Sequence, residues 1–155
     1  MKDVKIEING LKEVQDAIRA YQGDISKQLG LIVNAAALEA VSDVRRAIQG
    51  PPKTGNIYKR GNKTHQASRA GEAPATDTGT LVSSIYNEDR GRYTRVIGSR
   101  LPYAYYLEFG TFKMGGPSGA RKAWLPAVER AIPKMLKRVE LTIAKAKARA
   151  EKTTK

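Results

Sequence analysis

The side chains able to do chemistry in this 155-residue chain are few and scattered. His65 is the sole histidine, and there is no cysteine. A zinc site needs several thiolate or imidazole ligands, and a nucleophilic triad needs a histidine beside an orienting acid. His65 has no such partner in its sequence neighbourhood, so it reads as an exposed loop histidine. The central acids are Glu72, Asp77, Glu88, Asp89 and Glu108. Two of them could in principle share general acid–base work or hold a metal pair, yet no motif joins them. Ser83-Ser84 has no assignable base. The glycines around Gly79 lack the spacing and lysine of a phosphate-binding loop, and "GGPSG" (115–119) is not a dinucleotide fingerprint. The chemistry-bearing residues therefore predict no catalysis, no metal and no cofactor.

Glu108 is the exception worth following. It sits inside "YLEFGT" (106–111), among five aromatics in ten residues: Tyr103, Tyr105, Tyr106, Phe109 and Phe112. A carboxylate among rings has to be paired when it is buried. Two pairings are open. One is an ion pair across a subunit boundary, and the other is an intrachain pair or a turn cap.

The elements that would position these residues follow from periodicity. "VKIEI" (4–8) alternates and predicts a short half-buried strand. Asn9 can cap a helix from Gly10, with Leu11, Val14, Ile18 and Tyr21 on one face and Gly23 as its stop. A second helix, capped by Asp24 or Ser26, carries the stripe Ile25, Leu29, Ile32, Val33, Ala36, Ala40, Val41, Val44 and Ile48. Gly50-Pro51-Pro52 stops it. Residues 50–77 show no period and carry Lys53, Lys59, Arg60, Lys63 and Arg69. A loop this long is usually functional, and it reads as a basic arm that orders on a partner. Strands are expected over Leu81–Asp89 and Arg92–Ser99, joined at "EDRGR" with Gly91 in the turn. A short helix Tyr103–Phe109 should end at Gly110 and lead into a strand. A C-terminal helix starts at Trp124, with Pro126 in its first turn, Pro133 kinking it, and residues 145–155 forming a basic tail.

The sum is one α+β domain spanning 1–155: a small antiparallel sheet packed against one long helix and a C-terminal helix, with a long basic arm. The net charge is +13. The first 50 residues are neutral, with seven charges of each sign, so residues 51–155 carry all of it. Such a field favours polyanions or acidic protein surfaces. Nothing resembles a signal peptide or a membrane span, which leaves an intracellular expectation.

Four ordered stretches carry a resemblance. "GEAPATDTGTLVSSI" (71–85), "VIGS" (96–99), "YAYYLEFGTFKM" (103–114) and "WLPAVERA" (124–131) resemble the tail-completion (neck, head–tail joining) proteins of long-tailed bacteriophages and prophages. Those proteins show an Asp-Thr-Gly-x-Leu-x-x-Ser-Ile run after prolines. A Val-Gly-Ser strand, Glu-Phe-Gly-Thr and an aromatic-Leu-x-Pro-Ala helix start come next. The resemblance covers residues 24–140. Trp124 stands where Phe is usual, and the 114–124 segment is longer and richer in glycine. The resemblance implies a structural virion protein of the neck, assembled in the bacterial host cytoplasm. It implies a homo-oligomeric ring of six subunits. The partners it implies are the tail terminator, the tail tube proteins and the head connector, with packaged DNA phosphates within reach. It also implies that Asp77, Thr78 and Gly79 form a capping turn. Glu108, Phe109, Gly110 and Thr111 would hold a tight turn with Phe109 in the core. A tail terminator, a head-closure ring and a sequence-nonspecific DNA-binding protein remain the alternatives.

Overall fold

The computed structural model describes the backbone of residues 11–153, and the side chains of residue 19 and of residues 21–150. The expected strand at 4–8 and the Asn9 cap lie outside the described residues. Helix α1 runs unbroken over Leu11–Gln49. Gly23 does not end it. A glycine inside a helix costs about 1 kcal/mol, and nothing here makes it a stop. Its φ is not positive, no proline follows, and the Asp24 carboxylate accepts from the Gln28 amide one turn on (2.9 Å). The two helices expected from the sequence are therefore one. The expected stop at Gly50 does hold: its N–H closes on the Arg46 carbonyl (2.8 Å), and two prolines follow.

Helix α4, Trp124–Thr153, lies antiparallel to α1. Two ion pairs mark that direction, Arg130 with Asp43 and Arg138 with Glu39. The seam between them is rich in alanine: Ala36 and Ala40 on α1, Ala127 and Ala131 on α4, all buried. Small side chains let two helices approach closely. Pro133 lies on the exposed side of α4, and the helix continues through it to Thr153, so the 145–153 stretch is helical.

Between the helices the chain builds two separate antiparallel hairpins. The arm is not an unstructured loop. It holds strands β1 (Ile57–Arg60) and β2 (Lys63–Gln66) around a turn at Gly61 (φ 59°). The expected strand from Leu81 begins instead as a one-turn helix, α2 (Thr80–Ser83), and becomes strand β3 only at Ile85–Gly91. Leu81 and Ile85 are four apart, and both are buried against α1. Strand β4 is Thr94–Ser99. The turn falls at Arg92-Tyr93, because the ladder extends to the Gly91–Thr94 pair past an irregularity at Asp89–Gly91. Helix α3 is Tyr103–Phe109, as the pattern predicts, and Gly110 ends it. No strand follows. The glycine-rich stretch makes two 3₁₀ turns instead, Phe112–Met114 and Gly116–Gly119.

The core is one cluster centred on Val44 and Ile48 of α1, with Leu81, Ile85, Ala104, Ala123 and Ala127 packed on it. Ile48 is almost wholly buried. Ile48→Ala should lower unfolding free energy by about 2–5 kcal/mol, transfer and cavity terms together. Urea unfolding measures it.

Candidate assembly interface

Ala104 and Glu108 are four residues apart on α3, so they share a face, and both are buried. Glu108 is 6% exposed. Its Oε2 accepts from the N–H groups of Ala123 (2.8 Å) and Trp124 (3.1 Å), and its Oε1 accepts from Leu125 N–H (2.7 Å). These are the first amides of α4, which have no partner inside their own helix. A carboxylate there also meets the positive end of the helix dipole. Of the two pairings open for Glu108, the structure shows an intrachain helix cap. The side chain crosses fifteen residues of sequence to make it, and so fixes α3 onto α4.

The connection between them is tight. Gly110 has φ 78°, and a Cβ there would stand 2.1 Å from the Gly116 carbonyl oxygen. A Cβ on Gly119 would stand 1.5 Å from the Met114 carbonyl oxygen. Thr111 accepts from the amides of Met114 and Gly116 (both 2.9 Å). The loop is thus held by its own backbone, and it presents Phe112 at 98% exposure. Phe109 is not in the core. It is 55% exposed and packs on Tyr105 (centroids 4.8 Å), which meets Tyr106 edge-on (5.8 Å). The buried positions of α3 are Ala104 and Glu108, so its rings are left on the outside. An exposed cluster of Tyr and Phe on a fixed scaffold is the usual make-up of an interface. Trp124 is half-buried against the core, with its amide on Glu108 and its indole N–H buried without a hydrogen-bond partner.

The opening run of the motif grips the arm. The Glu72 carboxylate accepts from the amides of Arg69 (2.9 Å) and Thr54 (3.2 Å) and from the Thr54 hydroxyl. These bonds pull its pKa down from 4.5 to about 2. Gly55 N–H donates to Ala67 (2.9 Å) and closes the hairpin's base. Across the hairpin Tyr58 faces His65 and Arg60 faces Lys63, so all four share one side. Asp77 receives that side: Arg60 on Oδ2 and His65 on Oδ1 (3.0 Å). Asp77 therefore holds the arm and caps nothing. Gly79 (φ 80°) leads into α2, where Thr78 and Thr80 pair their hydroxyls (2.6 Å). Arg121 ties the same region to the α3–α4 loop, donating through Nε to Ser68 (3.0 Å) and through its amide to Leu107 (2.7 Å).

The basic residues of the arm divide into two groups. Lys53 donates to the Ala47 carbonyl (2.8 Å), and burial lowers its pKa against the opposing pull of Glu72. Arg60 is engaged by Asp77, which raises its pKa. Lys59, Lys63 and Arg69 are exposed, as is Ile57 at 68%. A cleft of about 330 Å³ separates the hairpin from α3, with Tyr58, Arg60, Asp77, Tyr103 and Arg121 in its walls. Sequence reasoning missed Glu72, Thr54 and Arg121. Glu72 could have been found from its three-residue spacing to Arg69, a turn-closing distance, but nothing local marks Arg121. Among the described residues, no three His, Cys, Asp or Glu side chains gather where a metal could bind.

The sequence model of the HK97-gp10-like family, bacteriophage tail components related to HK97-gp10, matches residues 12–110. That is more than half of the chain, and it takes in α1, the arm, the gripping motif, β3–β4 and α3. The chain belongs to this family. No curated protein and no solved structure matches it. It is a structural component of a phage tail, and it meets other virion proteins there. The match ends at Gly110, at the edge of the turn that presents Phe112. In this tail component, no helix among the described residues is long and apolar enough to cross a membrane.

Glu108→Ala should cost about 2–4 kcal/mol, because three amides lose a charged acceptor in a buried place. Glu108→Gln, which keeps one oxygen acceptor, should cost less; denaturant unfolding of both ranks them. Gly110→Ala should cost about 3 kcal/mol or more, from positive φ and the clash together. The Glu72 pKa is lower in the folded state, so its stabilisation is complete above about pH 4.5 and is lost as pH falls towards 2. Protection of the Thr54 and Arg69 amides, taken relative to the intrinsic exchange rate at each pH, should fall through that window, ahead of the core.

Proposed function

We propose that this tail component is a tail-completion protein of the phage neck. It closes into a homo-oligomeric ring at the head-proximal end of the tail and joins the terminator end to the head connector around the DNA path. The observation that carries this reading is the aromatic face of Tyr105, Tyr106, Phe109 and Phe112. It is exposed, and the Glu108 cap holds in place the helix that carries three of its rings. Rings displayed at such exposure cost stability in water and are useful only when covered. The two hairpins support the ring. Among the described residues each is a two-stranded ladder with a further edge on either strand, and pairing such edges between subunits removes them. The chain acts in this reading by docking and carries out no reaction. Lys59, Lys63 and Arg69 face acidic connector surfaces or the phosphates of the terminal DNA, while Lys53 and Arg60 hold the arm itself together.

Phe112→Ala should change folding stability by less than about 0.5 kcal/mol, since the ring touches so little, yet weaken docking to tail ends at least about tenfold. Trimming the arm to a short turn between Asn56 and Ala67 removes the strands but keeps the Glu72 bonds at its base. That variant should fold, and heads and tails should fail to join. A trimmed variant that joins them at the normal yield rejects the arm as a docking element.

A further inference from the structure

An apolar groove of about 280 Å³ runs over α1 between α4 and β4. Val33 and Ala37 line it on α1 beside the buried Ala36 and Ala40, and Ile132 and Met135 of α4 and Ile97 of β4 complete its apolar lining. Alanines leave the floor low, where larger side chains would fill the space. Ile132 is 44% exposed in its wall. The one charged residue in the lining, Arg95, is paired with Asp89 (3.0 Å). All sheet residues in the lining come from β4 and its turn, and none from β3. Strand β4 is laddered to β3 alone among the described residues, so its second edge borders the groove. A strand edge beside an apolar floor accepts one more strand, provided every second side chain of that strand is apolar.

Val4, Ile6 and Ile8 have that spacing, in a segment outside the described residues. Lys5 and Glu7 alternate with them and cancel in charge. The segment therefore adds no repulsion to a chain whose +13 opposes self-association. Its reach decides which copy it serves. Ala36 lies twenty-five residues beyond the start of α1 at Leu11, about 37 Å along the helix axis. Val4 precedes Leu11 by seven residues, at most about 25 Å of extended chain. Stretched along α1, the segment falls short of Val33, Ala36 and Ala37 in the groove of its own chain.

We propose that residues 4–8 of one copy add as a strand to the free edge of β4 in the next, with Val4, Ile6 and Ile8 over the groove's apolar lining. This rests on the homo-oligomer reading above and names the contact that builds it. The two surfaces differ, so the contact is head-to-tail, the kind that generates a ring when the rotation closes.

The native chain has no cysteine, which makes thiol trapping clean. Ile6→Cys and Ala37→Cys variants are mixed and treated with a short bis-maleimide, with light scattering on the untreated protein. The expected result is a cross-linked dimer in the mixture, absent when either variant is treated alone. The double variant should give a ladder of oligomers, and Ile6→Lys should weaken the oligomer at least tenfold while the circular dichroism stays unchanged. An oligomer in the untreated protein with no cross-linked dimer in the treated mixture, or an oligomer that survives Ile6→Lys, overturns this contact and leaves the ring standing. A double variant that links only within one chain overturns exchange between copies. A monomer at every concentration, with no cross-link, overturns the contact and the ring together.

Discussion

One carboxylate takes three amides. Glu108, buried on α3, accepts from Ala123, Trp124 and Leu125, and in doing so sets where α4 begins. The rest of the assembly face follows from that constraint. With Glu108 and Ala104 turned inward, the helical period sends Tyr105, Tyr106 and Phe109 outward. With both ends of the 110–123 segment fixed, the intervening turns must be compact. Gly110 and Gly119 are the positions where backbone passes too close for any side chain. Phe112 is exposed because the loop that carries it has no freedom to fold it inward.

A second polar device does for the arm what Glu108 does for α3. Glu72 closes the base of the hairpin on backbone amides, and Asp77 holds its inner side through Arg60 and His65. Both acids belong to the run between Gly71 and Ile85. That run is rich in loop-forming residues and carries no reactive group, because its work is to hold a projecting hairpin in one orientation. The charge of the arm is accordingly divided. Lys53 and Arg60 make internal bonds, and Lys59, Lys63 and Arg69 are left exposed.

The long elements were legible in the sequence. The stripe through Ala36, Ala40, Val44 and Ile48 and the glycine–proline stop define α1, and α3 and α4 start where their patterns begin. Gly23 misled because a helix packed along most of its length tolerates one glycine. The arm misled because β1 and β2 are exposed on nearly every residue, and so leave no alternation to read. Phe109 misled because the buried side of α3 belongs to a carboxylate, against the general preference for rings inside. That Glu108 must be paired was readable from its setting. Its partners were not, since they are backbone amides fifteen residues away and carry no sequence signature.

The central claim is the proposal that these held, exposed surfaces are covered by further copies and by neighbouring virion proteins. Mass determination by light scattering, with electron microscopy of the same protein on tail ends, tests it most directly. The account predicts a closed ring, in solution or on the tail tip, with the aromatic face buried in it. A protein that remains monomeric, ignores tail ends and instead coats duplex DNA with steep salt dependence would contradict it.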